Sequence, residues 1–152
     1  MTTSHSKQIR SIVTSEGNVE ISIVRVDKPI PADDEVLIEV HAAPINPSDI
    51  GLLLTFAGDL SNINISESGD DLVASIKIHP GLMASMKPRL DKSLAVGNEG
   101  AGIVVDAGKN VKELIGKTVG LAGGSMYSQY ICVPAITVSY THLRAHETGS
   151  YL

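Results

Sequence analysis

Alternation of hydrophobic and polar positions predicts β-strands in the first third of the chain. Gln8–Ser15 and Val19–Val26 lie on either side of Gly17-Asn18, a pair typical of a tight turn, so the two segments are predicted to be neighbouring strands. The clearest strand is Glu35–Ala42 (EVLIEVHA). Its alternate positions, which fall on one face, are Val36, Ile38, Val40 and Ala42.

Two short helices are predicted. The first begins directly after Asn46, because the proline that follows suits the first helical position and the next two acceptors, Ser48 and Asp49, favour a first turn. The second covers Pro80–Lys87 and is predicted to end at Pro88, since proline interrupts helical hydrogen bonding.

The remaining pattern favours further β-structure. Ser61–Asp71 is rich in Asn, Ser, Gly and Asp and indicates a surface loop or an edge ribbon through Ile63 and Ile65, and Val73–Ile78 reads as another strand. Eight of the 14 glycines lie between Gly97 and Gly124, interleaved with short β-branched runs. That spacing predicts a compact, mainly β barrel whose strands bend at its corners.

Composition excludes several classes of protein. The 152 residues suit one domain, and a net charge of −5 without any run of Lys or Arg argues against nucleic-acid binding. No long apolar run indicates a signal peptide or a membrane span. The single cysteine, Cys132, cannot form an internal disulfide, which favours a cytoplasmic location.

One glycine-rich motif could be a nucleotide-binding loop: Gly97-Asn98-Glu99-Gly100-Ala101-Gly102. Its spacing is G-x-x-G-x-G, and a β-branched run follows it where a dinucleotide fingerprint needs a helix. The glycines are therefore predicted to let the chain turn tightly beside a bulky group. Asn98 and Glu99 either face a cleft or satisfy local backbone donors.

Other chemically suggestive residues have simpler interpretations. His142 and His146 have helical spacing, but no third metal ligand accompanies them. His41 is predicted to be exposed, and Cys132 to be a small strand residue and not a nucleophile. The hydroxyl of Tyr127 either reaches a cleft or packs across strands.

Three segments, taken in order, resemble the N-terminal, GroES-like catalytic domain of the medium-chain dehydrogenase/reductase superfamily. They are Glu35–Leu54 (EVLIEVHAAPINPSDIGLLL), Val96–Gly108 (VGNEGAGIVVDAG) and Gly116–Pro134 (GKTVGLAGGSMYSQYICVP). The resemblance implies a mainly β fold, a GroES-like partly open β-barrel with two short helices, over residues 1–135.

The resemblance also implies a site. Asn46 and Asn98 stand at positions similar to the cysteine and histidine zinc ligands of the alcohol dehydrogenases, and carboxamides are poor zinc ligands. The chain is instead similar to the zinc-free quinone-oxidoreductase-like branch, which uses NADPH or NADH to reduce a quinone, enone or carbonyl. The residues implied as catalytic are Asn46, Asp49, Asn98 and Glu99. Those implied to contact the cofactor are Asn46, Ser48, Asp49 and Tyr127.

The C-terminal stretch departs from the family. Residues 136–152 resemble the translation of a sequencing adapter, so they are expected to be a non-native, disordered tail, and the Rossmann domain of the family is expected to be missing. The truncated chain is then expected to be inactive and to bind cofactor weakly, whereas the intact protein would be a cytoplasmic homodimer. Two alternatives are a stand-alone GroES-like binding or oligomerisation module and a zinc enzyme with substituted ligands.

Overall fold

The computed structural model describes residues 4–54, 57–68 and 71–139. Within these ranges the strands are β1 (His5–Val13), β2 (Asn18–Asp27), β3 (Glu35–Ala42), β4 (Asn64–Ser68), β5 (Asp71–Lys77), β6 (Leu94–Ala95), β7 (Glu99–Ala107), β8 (Thr118–Ala122) and β9 (Tyr130–Pro134). The one α-helix there is α1 (Pro47–Leu54). The 3₁₀ segments are Leu60–Asn62, Pro80–Arg89, Lys112–Leu114 and Ala135–Thr137.

The first sheet is built on the β1–β2 hairpin. Its order over the described residues is β4-β5-β2-β1-β6, and every pairing is antiparallel. The predicted pairing of the first two strands is confirmed, with Val13 opposite Val19 next to the turn and Ile9 opposite Ile23 further along. The predicted edge ribbon through Ile65 is confirmed as β4, which pairs with β5.

The second sheet has β3 at its centre. Its order within the described ranges is β8-β7-β3-β9. Val36 and Ile38 of β3 are fully buried and lie in the main core with Val104 of β7 and Val119 of β8. Ala42, at the end of the predicted apolar face, is exposed because the strand runs past the core there. β-Bulges displace the pairing of β3 with β7 at two points and bend the strand.

The helical predictions are confirmed in part. The helix that begins at Pro47 is present as α1. The second helical segment is of the 3₁₀ type and continues through Pro88 to Arg89, so the predicted end was wrong. The fixed φ of proline is compatible with a 3₁₀ turn, and this explains why the segment continues. At its start the His79 ring accepts a hydrogen bond from the Gly81 N–H.

The two sheets are joined by the segment Met126–Gln129, which precedes β9. The Ile9 N–H donates to the Tyr127 carbonyl at 2.8 Å, and the Gln129 N–H donates to the Lys7 carbonyl at 3.0 Å. The sheets do not close on each other, so the fold is a partly open, mainly β barrel, as predicted.

Residues 136–139 lie within the segment that the sequence assigned to the tail. Val138 is buried in the main core, and the Ser139 backbone exchanges two hydrogen bonds of 2.8 Å with Gly120 of β8. His142 and His146 fall outside the described residues, and the non-native origin of the segment stays a prediction. Among the described helices none is long and apolar enough to cross a membrane.

Gly102 should be essential to the β3–β7 pairing. A Cβ at this position would lie 2.0 Å from the Glu39 carbonyl oxygen, and a backbone group cannot move aside without breaking the sheet. We expect Gly102→Ala to lower the free energy of unfolding by about 3 kcal/mol, the upper end for overpacking. Urea denaturation of the full chain measures this value.

Gly120→Ala is the matched control on β8. Its added Cβ meets nothing within 4 Å, and its backbone does not have positive φ. We expect stability to be unchanged or to increase by up to about 1 kcal/mol. Equal stability of the two variants would contradict the steric role of Gly102.

Candidate functional site

The N-terminus of α1 and the start of β7 meet at the carboxylate of Asp49. This side chain is fully buried. One oxygen accepts the backbone N–H of Asn46 at 2.9 Å, and the other accepts the backbone N–H of Asn98 at 2.9 Å. Because a buried carboxylate is stable only when it is well hydrogen-bonded, this pair of contacts fixes the two chain segments relative to each other.

Four polar side chains cluster above this carboxylate, nearer to solvent. The amide nitrogen of Asn46 donates to a Glu99 carboxylate oxygen at 3.2 Å. The amide nitrogen of Asn98 donates to the Ser48 hydroxyl oxygen at 2.9 Å. Ser48 and Glu99 are exposed, and the two asparagines are half-buried, so the cluster can be reached by a ligand.

Tyr127 completes the cluster beside the glycine turn. Its hydroxyl donates to the Pro44 carbonyl at 3.0 Å, and its backbone N–H donates to the Val96 carbonyl at 3.0 Å. A Cβ on Gly97 would lie 2.6 Å from the Tyr127 nitrogen and 2.7 Å from its ring. The predicted tight turn beside a bulky group is therefore confirmed. Burial, followed by the negative charge of Asp49, raises the pKa of Tyr127.

The cluster combines hydrogen-bond donors with carboxylates. Each asparagine uses one amide hydrogen within the cluster, so its second amide hydrogen is left for a ligand. The Ser48 oxygen accepts from Asn98, which leaves the Ser48 hydroxyl proton free to donate. The cluster thus holds three neutral donors that its own hydrogen bonds do not use.

All six residues proposed from the sequence lie in this one cluster, but Asp49, which the resemblance implied to be catalytic and to contact the cofactor, is placed differently. Asn46 does not cap the helix with its side chain; Asp49, three residues later, accepts the Asn46 backbone N–H instead. Asp49 is also too buried to touch a ligand. The Asn46/Asp49 spacing, half of a capping box, could have predicted this contact.

The sequence did not predict two backbone groups of the site: the Pro44 carbonyl, which accepts from Tyr127, and the Asn98 N–H, which donates to Asp49. Neither has a side-chain signal, because any residue carries these groups. The candidate metal pattern of His142 and His146 lies outside the described residues and is not tested. In the described part of the chain no three His, Cys, Asp or Glu side chains group so as to hold a metal ion.

Outside the cluster, the simpler interpretations hold. His41 is exposed, with its Nε2 3.6 Å from a Glu39 carboxylate oxygen. Tyr130 packs across strands, since its hydroxyl donates to Glu39 at 3.1 Å and the Lys28 ammonium lies over its ring. Cys132 lies in β9, where burial, and then the charges of neighbouring carboxylates, raises its pKa to about 11.

Asp49→Asn should loosen the contact between α1 and β7. The asparagine amide would face one of the two backbone N–H donors with an N–H of its own, leaving a buried donor without a partner. We expect the free energy of unfolding to fall by about 2–3 kcal/mol in urea denaturation. Asp106→Asn is the control, since this exposed carboxylate accepts only the next backbone N–H. A control loss as large as that of Asp49→Asn would argue against the bridging role.

Cys132 should react slowly at neutral pH. With its pKa near 11 in the folded chain, iodoacetamide alkylation should reach half its maximal rate at about pH 11. In concentrated urea the midpoint should fall to roughly 8.5, the usual thiol value. Because folding raises this pKa, the thiol's contribution to stability is lost as pH rises from the unfolded value towards 11. A folded-state midpoint below that in urea would contradict the assignment.

Comparison with solved structures identifies the fold. The chain is 24% identical to a protein from Bacillus thuringiensis assigned as an NADPH:quinone reductase, with a TM-score of 0.58, covering 90% of this chain and 33% of that one. It is 19% identical to the quinone oxidoreductase from Coxiella burnetii, with a TM-score of 0.55 and coverage of 90% and 37%. A third match is an E. coli alcohol dehydrogenase complexed with NADH, at 17% identity, a TM-score of 0.58 and coverage of 91% and 39%.

At these identities the likeness shows the fold alone. The chain spans between a third and two fifths of the length of these structures, from 33% to 39%. No curated protein sequence matches it significantly. The alcohol dehydrogenase GroES-like domain family, in contrast, matches residues 32–142, which is well over half of the chain. The chain therefore belongs to the alcohol dehydrogenase GroES-like domain family.

Proposed function

We propose that this chain is the N-terminal catalytic domain of a zinc-independent, NAD(P)H-dependent oxidoreductase that reduces a quinone, enone or carbonyl compound. The observation that carries the proposal is the cluster in which Asn46, Ser48 and Asn98 each keep a donor hydrogen that the cluster does not use, beside a buried carboxylate. A domain of this family with such a donor set is suited to binding an oxygen atom on which negative charge develops.

The cofactor assignment rests on the family and on the names of similar structures. One matched protein was assigned as an NADPH:quinone reductase, and another was solved with NADH. Tyr127, with Asn46 and Ser48, is proposed to line the position of the nicotinamide ring. The glycine fingerprint that holds the pyrophosphate is not in this sequence, so the rest of the cofactor requires a further nucleotide-binding domain.

A reduced nicotinamide supplies the hydride. The amide hydrogens of Asn46 and Asn98 bind the substrate oxygen and stabilise its developing negative charge. Glu99 holds the Asn46 amide in place, and Ser48 does the same for Asn98. The Ser48 hydroxyl can then pass a proton to that oxygen and regain one from solvent, because Ser48 is exposed.

The donor set does not fit a zinc ion. Zn²⁺ prefers thiolate, imidazole and carboxylate ligands, whereas Asn46 and Asn98 offer neutral carboxamides. The buried carboxylate of Asp49 already accepts two backbone N–H groups. This chemistry supports a metal-independent reaction.

Asp49 is proposed to position the site and not to touch the substrate. Its two hydrogen bonds hold the backbone of both asparagines, so it sets where their side chains project. The homodimer expected for the intact protein stays a prediction.

The proposal is tested on a protein in which this chain is joined to a nucleotide-binding domain. Its oxidation of NADPH and NADH is followed with quinones, enones and aldehydes as acceptors. We expect Asn98→Ala to lower kcat by about a hundredfold while cofactor affinity changes little, because it removes stabilisation of the transition state. Asn46→Ala should lower kcat by a similar factor and also weaken cofactor binding, because Asn46 is proposed to line the nicotinamide position as well.

Asn62→Ala is the matched control, because Asn62 is an exposed asparagine whose amide donates only to Asp59. Dialysis against a chelator should leave the activity unchanged. Absence of activity with all acceptors would refute the proposed reaction, and loss of activity on chelation would refute its zinc independence. A defined, inactive oligomer would favour the binding-module alternative.

A further inference from the structure

A pocket of about 340 Å³ that is widely open to solvent lies at the junction of the two sheets. It is bounded by β1 and β2, by the end of β3 and by the joining segment Met126–Gln129. Its volume is at the lower end of the range for small-molecule sites. Of the six candidate-site residues, only Tyr127 lines it.

The walls of the pocket are mainly apolar. Ile9 and Ile23 are direct partners across β1 and β2, so their side chains stand on the same face of the first sheet. Val40, Ala42 and Met126 line the pocket from the second sheet and the joining segment. These aliphatic surfaces, contributed by two sheets, suit an alkyl chain and not a sugar or a nucleotide.

One end of the pocket carries positive charge. Lys7 lies two residues before Ile9 on β1, so its side chain projects from the same face. Arg25 of β2 stands directly opposite Lys7 in the register but does not line the pocket, so the charge at this end is that of Lys7. No carboxylate in the described ranges pairs with the Lys7 ammonium. His41 also lines the pocket, with its Nε2 3.6 Å from a Glu39 carboxylate oxygen.

We propose that this pocket binds a small alkyl carboxylate. The alkyl chain lies between Ile9, Ile23 and Met126, and the carboxylate accepts a charge-assisted hydrogen bond from the Lys7 ammonium. The inference does not depend on the proposed reaction, since it uses a different set of side chains. A ligand here would contact the segment that carries Tyr127, next to the candidate site.

Calorimetric titration of the full 152-residue chain tests the proposal, with octanoate as the probe. We expect octanoate to bind about tenfold more tightly than 1-octanol, which has the same chain without the charge. Affinity should rise about fourfold per added methylene from hexanoate to octanoate, as burial of the chain requires. In NMR spectra, the methyl signals of Ile9, Ile23 and Met126 should shift, and those of exposed Ile65 on β4 should not.

Lys7→Gln removes the positive charge and leaves the apolar walls of the pocket unchanged. This exposed substitution should weaken octanoate binding about tenfold and leave 1-octanol binding unchanged, which also shows that the variant is folded. Lys117→Gln, an exposed lysine outside the pocket, is the control and should change neither affinity. Equal affinity for octanoate and 1-octanol, no octanoate binding, or unaltered binding by Lys7→Gln would each overturn the proposal.

Discussion

The candidate site depends on one buried carboxylate. Asp49 has no exposed surface, and its charge is stable there because two backbone N–H groups donate to it at 2.9 Å. Those N–H groups belong to Asn46 and Asn98, which lie 52 positions apart in the sequence. The two hydrogen bonds that stabilise the buried Asp49 carboxylate are thus the same contacts that bring the two half-buried asparagines together.

Close backbone approach is the second constraint. Gly97 lets Tyr127 pack against the turn before β7, and Gly102 lets β7 pass within reach of the Glu39 carbonyl. A side chain at either position would push apart the elements that Asp49 connects. The glycine motif therefore shapes the site without contacting a ligand, which is a different use of glycines from that in a phosphate-binding loop.

The joining segment Met126–Gln129 gives the molecule two chemically different surfaces back to back. On one side, Tyr127 borders polar groups held by a buried charge. On the other, Met126 borders an aliphatic pocket whose cationic end is formed by Lys7. The segment is held in place between them by backbone hydrogen bonds to β1 and to β3.

Local pattern determined much of this protein. The alternation of hydrophobic and polar residues predicted β1, β2 and β3, and the Asn46-Pro47 pair predicted the start of α1. Both signals are local, because strand periodicity and the fixed φ of proline act over only a few residues. Local pattern could not predict that Pro80–Arg89 is a 3₁₀ helix. Residue preferences are nearly the same for 3₁₀ and α turns, and packing selects between them. The meeting of Asp49 with the Asn98 N–H, and of Tyr127 with the Pro44 carbonyl, was decided by tertiary structure alone. Backbone groups carry no sequence signature, so only the path of the folded chain determines which side chain reaches them.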